Sequence, residues 1–318
     1  MTTAEAYPYN TLMNTTLLAS LVPMLLMAGL GFFAARLKLL TAQEVNGLKK
    51  LVSGILLPFL VFSSLCTLKL DFSALLVMAL SMVFQILLYG LGFLTAPKMG
   101  EYGKYHRFMI CTAELGMLGY VLFMSLFGTE NLGYMTLLDA GQMLFFFCIV
   151  MPDLQRTASG YANSPLQALF RSPVLWALFL GLTCNLTGLY DAVMNTAAGA
   201  VLTNCLDMVT TPVSGIMLFV IGFGISIDKE ILKPVLKTSA LRLGLNVPLS
   251  LGAAAVLLWT GADRLYVWAF FLYGVLPSTY LATAYVQEEK LGKHVNTVLS
   301  LYTLFTLLAA GILYVISR

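Results

Sequence analysis

Long apolar runs separated by short polar stretches make up almost the whole chain. A helix needs about 20 apolar residues to cross the hydrocarbon core of a bilayer. The longest polar stretch, from Asp153 to Ser172, leaves five apolar runs on each side of it. The pattern therefore predicts ten membrane-spanning helices, at approximately 12–34, 46–66, 72–95, 106–127, 132–151, 171–188, 197–226, 236–259, 265–286 and 295–316.

The composition supports this prediction and leaves no room for a large soluble domain. Of the 318 residues, 59% are hydrophobic and 10% are charged, and the mean hydropathy is +0.87. A typical soluble domain has about 25% charged residues. The predicted fold class is therefore an all-α polytopic membrane protein.

Lysine and arginine residues collect on one side of the predicted membrane, as the positive-inside rule requires of the cytoplasmic side. With the N-terminus outside, 15 of the 18 basic residues, Arg242 among them, fall on the cytoplasmic side. The outer side keeps Lys69, Arg264 and Arg318. This bias predicts that both termini lie outside, and the short connections favour a bacterial plasma membrane.

An odd number of spans in each half means that two repeated halves would lie in opposite orientations. Traces of repetition are present: Pro58 and Pro212 lie 154 residues apart, and Gly116 and Gly274 lie 158 residues apart. Inverted repeats are common in transporters, with the site near the midplane where broken helices meet. We therefore predict a first five-helix repeat at 11–151, a cytoplasmic linker at 152–170 and a second, inverted repeat at 171–316.

The stretch Cys111–Gly128 departs from a plain spanning helix. It is apolar, yet it contains Glu114, with Gly116 and Gly119 close behind. An ionisable group at membrane depth costs about 2.5 kcal/mol or more, so it usually lines a path, pairs or binds an ion. We expect no Lys or Arg in mid-span to neutralise it. Two interpretations stay open: a site for a coupling proton or sodium ion, and a structural carboxyl that is protonated and hydrogen-bonded.

Asp139 and Gln142 lie three residues apart on one face of the fifth span. In one interpretation they complete a cation site, so the predicted coupling-ion set is Glu114, Asp139 and Gln142, with sodium as a candidate metal ion. In the other they satisfy backbone groups that a broken helix leaves free.

Glycine and proline mark corresponding places in the fourth and ninth spans, where we expect the helices to break. Half-helix N-termini present N–H groups that bind a carboxylate without any arginine. The alternative is close helix packing by small residues. The predicted substrate-binding set is Glu114, Gly116, Gly119 and Tyr120 in the fourth span, and Gly274, Pro277, Ser278 and Thr279 in the ninth.

Segments in order along nearly the whole chain resemble the auxin efflux carrier family, which includes plant PIN-type carriers and bacterial dicarboxylate permeases. LGFFAARLKLLTAQEVNGLKKLVSGILLPFLVFSSL is similar to the family's basic turn and proline-containing second helix. ELGMLGYVLFMSLFGTENLGYMTLLDAGQ is similar to its N-x-G-x-x-G-x-P crossover. Further on come SGIMLFVIGFGISI and GVLPSTYLATAYVQEEKLGKHVNTVLSLYTL, the latter similar to its proline-marked ninth helix.

The resemblance implies a scaffold of helices one, two, six and seven, and a mobile transport domain of helices three to five and eight to ten. It also implies that helices four and nine unwind and cross, and that a dimer carries organic anions by an elevator-like movement. The sequence departs from the family where Glu114 replaces the crossover asparagine and Val121 the crossover proline. No asparagine follows Pro277 in the ninth helix.

Four residues in the second and seventh spans form a predicted scaffold or gate set: Pro58, Ser63, Asp207 and Pro212. Asp207 lies near the midplane, where it either gates the route or belongs to a hydrogen-bonded polar cluster between helices. The two prolines are expected mainly to kink their helices.

Together these observations predict a secondary active transporter for a small organic anion, such as an auxin-like carboxylate or a dicarboxylate, driven by protons or sodium. We expect a homodimer that uses no cofactor and binds no nucleic acid. Enzyme motifs such as HExxH, GxSxG and a Walker loop are absent from the sequence, as is a channel filter motif. The alternative is a membrane sensor with a carrier fold, which would bind a small ligand without moving it.

Overall fold

The computed structural model describes residues 9–160, 164, 170–286 and 288–317. All regular secondary structure in these residues is helical, which confirms the all-α prediction. Within these residues, six helical stretches are long and apolar enough to cross a membrane: Ala42–Cys66, Phe72–Cys111, Thr129–Ser159, Ala197–Gly224, Leu232–Trp259 and Glu289–Leu313. Four shorter apolar helices accompany them: Val22–Arg36, Leu115–Phe127, Pro173–Leu186 and Arg264–Val275.

We number the helices by the predicted span that each overlaps. They are α1 (Tyr9–Arg36), α2 (Ala42–Cys66), α3 (Phe72–Thr95), α4 in two pieces (His106–Cys111 and Leu115–Phe127), α5 (Thr129–Ser159), α6 (Pro173–Leu186), α7 (Ala197–Gly224), α8 (Leu232–Trp259), α9 (Arg264–Val275) and α10 (Glu289–Ser317). A short helix, Leu189–Met194, joins α6 to α7. Two 3₁₀ segments, Ala96–Tyr105 and Tyr280–Ala284, precede α4 and follow α9.

The stretch Phe72–Cys111 is not one straight rod, because the chain reverses between α3 and α4. Gly100 has φ of +56° within the 3₁₀ segment, a conformation that costs glycine little. Arg107 then packs back on α3, so closely that a Cβ added to Gly92 would lie 2.7 Å from the Arg107 Cα. The reversal lies where the sequence predicts the connection between the third and fourth spans.

Short polar side chains fix where several helices begin. The Asp71 carboxylate accepts a hydrogen bond from the Ala74 N–H at the start of α3, at 3.1 Å. At α2, the side chains of Thr41 and Glu44 each accept a backbone N–H from the other residue, forming a capping box. Each cap satisfies N–H groups that the first turn of a helix leaves without a partner.

Part of the predicted cytoplasmic linker is helical, since α5 continues to Ser159. Gly160, with φ of +74°, ends this helix in the left-handed conformation. Residues 161–163 and 165–169 of the linker lie outside the described residues. The predicted domain boundaries therefore stay predictions.

The helices pack most extensively within two groups. In the first, α1 lies against α7 and α2 against α6; in the second, α3 packs on α4 and α5, and α8 packs on α9. Glycine brings α1 and α7 into backbone contact: a Cβ on Gly31 would lie 2.0 Å from the Phe219 carbonyl oxygen, and one on Gly222 would lie 1.9 Å from that of Ala28. In the second piece of α4, Tyr120–Phe123 are fully enclosed.

Candidate functional site

The first break lies within the predicted fourth span and is made by polar residues. The first piece of α4 ends at Cys111, Thr112 is extended, and the helix resumes at Leu115 as a π-helical turn, Leu115–Gly119. Glu114 caps this turn, since its carboxylate accepts the Met117 N–H at 3.4 Å. The break therefore lies ahead of the two glycines that the sequence marks as breakers, and both glycines belong to the helical turn.

The second break follows α9 and is made by proline. Proline disfavours the helical conformation in the residue before it, and Leu276 is accordingly extended, with φ of −68° and ψ of 148°. Pro277, Ser278 and Thr279 have no regular secondary structure, and the chain then enters the 3₁₀ turn Tyr280–Ala284.

The two breaks lie against each other and share hydrogen bonds. The Glu114 N–H donates to the Pro277 carbonyl at 2.9 Å, and the hydroxyls of Thr112 and Ser278 lie 2.7 Å apart. The Glu114 carboxylate also accepts the Tyr280 N–H at 2.7 Å. One carboxylate thus joins the first turns of the helical segments that follow the two breaks. Because those turns carry partial positive charge, an anionic side chain stabilises them.

Arg242 of α8 binds the ends of the two helical segments that precede the breaks, and it brings a positive charge to them. Its guanidinium donates to the Leu276 carbonyl at 2.9 Å and 3.2 Å, and to the carbonyls of Met109 and Ile110 at 2.5 Å and 2.9 Å. These carbonyls lie at the C-terminal ends of α9 and of the first piece of α4, where partial negative charge favours a cation. A buried cation and a buried carboxylate therefore hold the two breaks from opposite sides.

This placement corrects two expectations about positive charge. Arg242, counted among the cytoplasmic residues, is fully buried inside α8. The expectation that no Lys or Arg lies in mid-span is therefore wrong. One signal was available: Arg242 lies six residues inside its own predicted span, 236–259.

Asp139 and Gln142 of α5 belong to a buried polar network beside the first break. The Tyr120 hydroxyl donates to the Asp139 carboxylate at 2.6 Å. The Gln142 amide donates to the Ala113 carbonyl at 2.9 Å and reaches Asp139 at 3.4 Å. Asp139 and Gln142 are 2% and 7% exposed. This network satisfies a backbone carbonyl freed by the break, and it keeps a second carboxyl near Glu114.

Two further side chains extend this network to neighbouring helices. The Gln85 amide of α3 and the Tyr273 hydroxyl of α9 both donate to the Gln142 amide oxygen, at 2.6 Å and 2.7 Å. Neither residue stands out in the sequence, because glutamine and tyrosine are common near helix packing contacts. Their role depends on the neighbours that the fold supplies.

A cavity of about 310 Å³ opens beside the breaks. Its polar lining includes Glu114, Asp139, Gln142, Thr279 and Lys49. A second cavity of about 280 Å³ shares Lys49, Met117 and Tyr280 with the first. Lys49 lies on α2, within the predicted second span, and sequence reasoning did not single it out.

Three π-helical turns contribute to the wall of the larger cavity: Val52–Leu56 in α2, Leu115–Gly119 in α4 and Phe146–Val150 in α5. π-helical turns are rare and occur frequently at functional sites. Their convergence indicates the same part of the molecule as the two breaks do.

The remaining substrate candidates divide between the cavity and the packing around it. Gly116 lines the cavity, whereas a Cβ on Gly119 would lie 2.9 Å from the Leu276 side chain, and one on Gly274 would lie 2.2 Å from the Ser250 hydroxyl. Gly119 and Gly274 therefore act through close packing. The Ser278 hydroxyl is buried and donates to the Phe108 carbonyl at 3.1 Å.

The predicted scaffold or gate residues lie away from both cavities. Pro58 and Ser63 belong to the last part of α2, where the Ser63 hydroxyl donates to the Leu60 carbonyl of its own helix. Asp207 and Pro212 of α7 are exposed. The structure therefore does not bring these four residues to Glu114.

Two comparisons with known proteins point to membrane transport. A family model described as a membrane transport protein matches residues 16–153, which include Glu114 and Asp139. A protein of Methanothermobacter thermautotrophicus, described as an uncharacterized transporter, is 25% identical over 280 residues, covering 86% of this chain and 88% of the relative. These similarities confirm the resemblance that the sequence motifs indicate.

Proposed function

We propose that this chain, which belongs to the auxin efflux carrier family of membrane transport proteins, is a secondary active transporter for a small organic anion. The family is one of transporters, so the chain is a multi-pass membrane protein and not an enzyme. The substrate class proposed is a carboxylate, either auxin-like or a dicarboxylate. Protons or sodium ions drive its movement.

The observation that carries this proposal is the pair of breaks beside a cavity. Helices that unwind at membrane depth leave backbone groups free, which is tolerated where they are buried in protein or line a water-filled space. Here the breaks in α4 and after α9 share a backbone hydrogen bond of 2.9 Å between Glu114 and Pro277. Such paired discontinuous helices are a common site of substrate binding in secondary transporters.

The proposed architecture is ten membrane-spanning helices in two inverted five-helix repeats, 11–151 and 171–316, with the broken helices four and nine crossing. The breaks support it, because each falls in the fourth helix of its half. The packing supports a scaffold of α1, α2, α6 and α7, since α1 packs on α7 and α2 on α6. The other helices would form the transport domain that moves in an elevator-type cycle.

Coupling to the driving ion is assigned to Glu114, Asp139 and Gln142. All three are buried, and all three line the same cavity. A proton would be taken up by one of the carboxyls. A sodium ion would bind their oxygens together with backbone carbonyls exposed by the break, because hard cations prefer oxygen ligands.

A homodimer in the plasma membrane, with both termini outside, completes the proposal. The exposed face of α7 supports it, because Asn204, Asp207 and Thr211 lie along one side of this apolar helix. Polar side chains at membrane depth are rarely left facing lipid. A second copy of the chain would cover them.

The test is substrate-dependent current from purified protein in liposomes, measured with mono- and dicarboxylates at two pH values, with and without sodium. We expect a current that depends on the driving ion and disappears in Glu114→Gln. The matched control is Glu130→Gln, which neutralises an exposed carboxylate beyond the same helix. Binding of a carboxylate without flux, under every gradient tested, would favour the sensor instead.

A further inference from the structure

The donors that a substrate carboxylate would be expected to use are already occupied. The Glu114 carboxylate accepts the N–H groups of Met117 and Tyr280, and the Thr279 side chain also hydrogen-bonds to it. An anionic substrate at the same turns would have to displace this carboxylate, or it would be repelled by the carboxylate when that group is ionised. The chain thus presents a negative group where a site for simple anions would present backbone donors.

One cationic side chain lines the cavity, and it belongs to the first group of helices, which contains α1, α2, α6 and α7. Lys49 of α2 borders both cavities, and among the described residues it takes part in no ion pair. It is near enough to Glu114 for their charges to interact, although the two side chains form no salt bridge. The cavity is therefore lined by a lysine and, apart from it, by the Glu114 carboxyl group, which is negative when it is ionised.

The cavity that both residues line has a largely apolar wall. Leu57 of α2, Met143, Phe146 and Phe147 of α5, and Val174 of α6 line it. The cavity of about 310 Å³ is of the size of sites for small molecules. An apolar wall with charges of both signs suits a small molecule that carries both signs itself.

From this arrangement we infer that the transported carboxylate also carries an ammonium group, so that the substrate is a zwitterion of the amino-acid type with an apolar side chain. The inference rests on the proposed transport function and changes its substrate class: the carboxylate is kept, but the net anion is replaced by a zwitterion. The substrate carboxylate would accept hydrogen bonds from the Lys49 ammonium group. The substrate ammonium group would donate to Glu114.

The hydrogen-bonding capacity of both residues allows these contacts. An ionised carboxylate offers about four acceptor positions, and Glu114 has three donors from Met117, Thr279 and Tyr280. A lysine ammonium group has three donors and no acceptor. The two contacts would connect α2 to the crossing segments only when the ligand carries both charges. Asp139 and Gln142, the other members of the coupling-ion set, would remain for the driving ion.

The experiment compares three probes that share one isobutyl side chain: leucine, 4-methylpentanoate, which lacks the amino group, and 3-methylbutylamine, which lacks the carboxylate. Each competes with radiolabelled leucine for binding to purified wild-type protein, Glu114→Gln or Lys49→Met. Lys50→Met, the exposed neighbour, is the matched control. A site that pairs a polar group rejects an analogue lacking it, so we expect the wild type to prefer leucine at least about tenfold over either probe.

The two variants should fail in opposite ways, which misfolding would not produce. Glu114→Gln should lose its preference for leucine over 4-methylpentanoate and keep its preference over the amine. Lys49→Met should show the reverse, and Lys50→Met should match the wild type. If Glu114→Gln does not fold, the Lys49→Met result alone decides for or against the inference.

Other outcomes overturn the inference and remain separable from the proposed function. Transport of 4-methylpentanoate or other carboxylates at least as well as leucine would overturn the inference and leave an organic-anion carrier. Absence of leucine uptake alongside carboxylate uptake would do the same. Absence of flux with leucine and with every carboxylate would overturn both proposals.

Discussion

The two breaks occupy corresponding places in the two halves of the chain, yet they are built from different chemistry. The break in α4 contains no proline and is held by the side chains of Thr112 and Glu114. The break after α9 contains Pro277, and it contributes mainly backbone groups: the Pro277 carbonyl and the Tyr280 N–H. One half therefore supplies the charge, and the other supplies a fixed backbone shape.

This difference shows that two breaks can occupy corresponding places in the topology and still be formed by different residue types. A proline sets the conformation of its neighbour whatever lies around it. A break held by side chains depends on tertiary partners, because a buried polar group left unpaired is costly. The α4 break should therefore respond more strongly to substitution around it, and the break after α9 should respond more weakly.

The largest effect is expected at Arg242, the residue that bonds to the helical ends before both breaks. Hydrogen bonds to a charged group contribute about 1.5–3 kcal/mol each. Arg242→Met removes the donors for Met109, Ile110 and Leu276 together. We expect the melting temperature in detergent to fall by about 5 °C or more.

Two companion variants test the reason for that loss. Arg242→Lys keeps the charge but lacks the guanidinium fork, so it should recover only part of the stability. Arg264→Met, at an exposed arginine, should leave the melting temperature unchanged. If Arg242→Met melts with the wild type, the guanidinium does not hold the breaks together.

The second effect is expected from packing at the glycines. A Cβ on Gly274 would lie 2.2 Å from the Ser250 hydroxyl and 2.8 Å from its Cβ, whereas one on Gly116 meets only Leu57, at 3.6 Å. Overpacking of this kind costs about 1–3 kcal/mol. Gly274→Ala should therefore lower the free energy of unfolding and substrate-dependent current, and Gly116→Ala should be as stable as the wild type.

The clash at Gly274 has a specific rescue. Ser250→Gly removes both atoms that the new methyl group would meet, so the double variant with Gly274→Ala should regain most of the lost stability. A double variant no more stable than Gly274→Ala would show that the glycine is required for another reason.

These residues also show what the sequence could and could not predict. Helix positions follow from hydropathy, because burial in lipid requires continuous apolar runs, and Glu114 is conspicuous as a carboxylate inside one of them. Pro277 correctly marks a break through a local steric rule. The break at Thr112 is held by partners from the segment that follows α9, which the local sequence does not reveal. The nearby glycines therefore suggested a position a few residues too late.

The charges of the site were harder to predict for the same reason. Lys49 lies near the start of its predicted span and Arg242 lies six residues inside its own, on the side where basic residues ordinarily face the cytoplasm. Arg242 becomes a buried hydrogen-bond donor to backbone carbonyls only because α8 packs on the two breaks. Similarly, only the approach of α2 to α4 brings Lys49 to the cavity that Glu114 lines.

A smaller effect is expected at Pro277, because the break after α9 depends mainly on the local backbone conformation. Pro277→Ala keeps the carbonyl that accepts the Glu114 N–H but frees Leu276 from its steric restriction. A compatible proline stabilises by about 0.4–1 kcal/mol, chiefly through the unfolded chain. We expect faster hydrogen exchange at Leu276 and Ser278 with transport nearly intact.

The control for this variant is Pro248→Ala, inside α8. It changes a proline on a neighbouring helix and should leave exchange at Leu276 unchanged. If Pro277→Ala abolished transport outright, the second break would depend on more than local shape, and the contrast between the two halves would weaken.

The smallest effect is expected at the ion pair between Lys104 and Glu288, which connects the segment before α4 to the segment after α9. Both side chains are exposed, at 39% and 41%, and exposed pairs contribute about 1 kcal/mol at most. The hydrogen bond from Lys104 holds the pKa of Glu288 below its usual value. Because the folded-state pKa is lowered, the stabilisation is present at neutral pH and is lost as the pH falls through that value.

Glu288→Gln should therefore lower the melting temperature slightly at pH 7, and the difference from the wild type should disappear as the pH falls through the lowered pKa of Glu288. Glu289→Gln is the matched control, since Glu289 pairs with Lys293 of its own helix at 2.8 Å and connects no two segments. Added salt should reduce the Glu288 effect, because exposed charges are screened. A loss as large as that of Arg242→Met would mean that the segments flanking the breaks, rather than the breaks themselves, hold the two halves together.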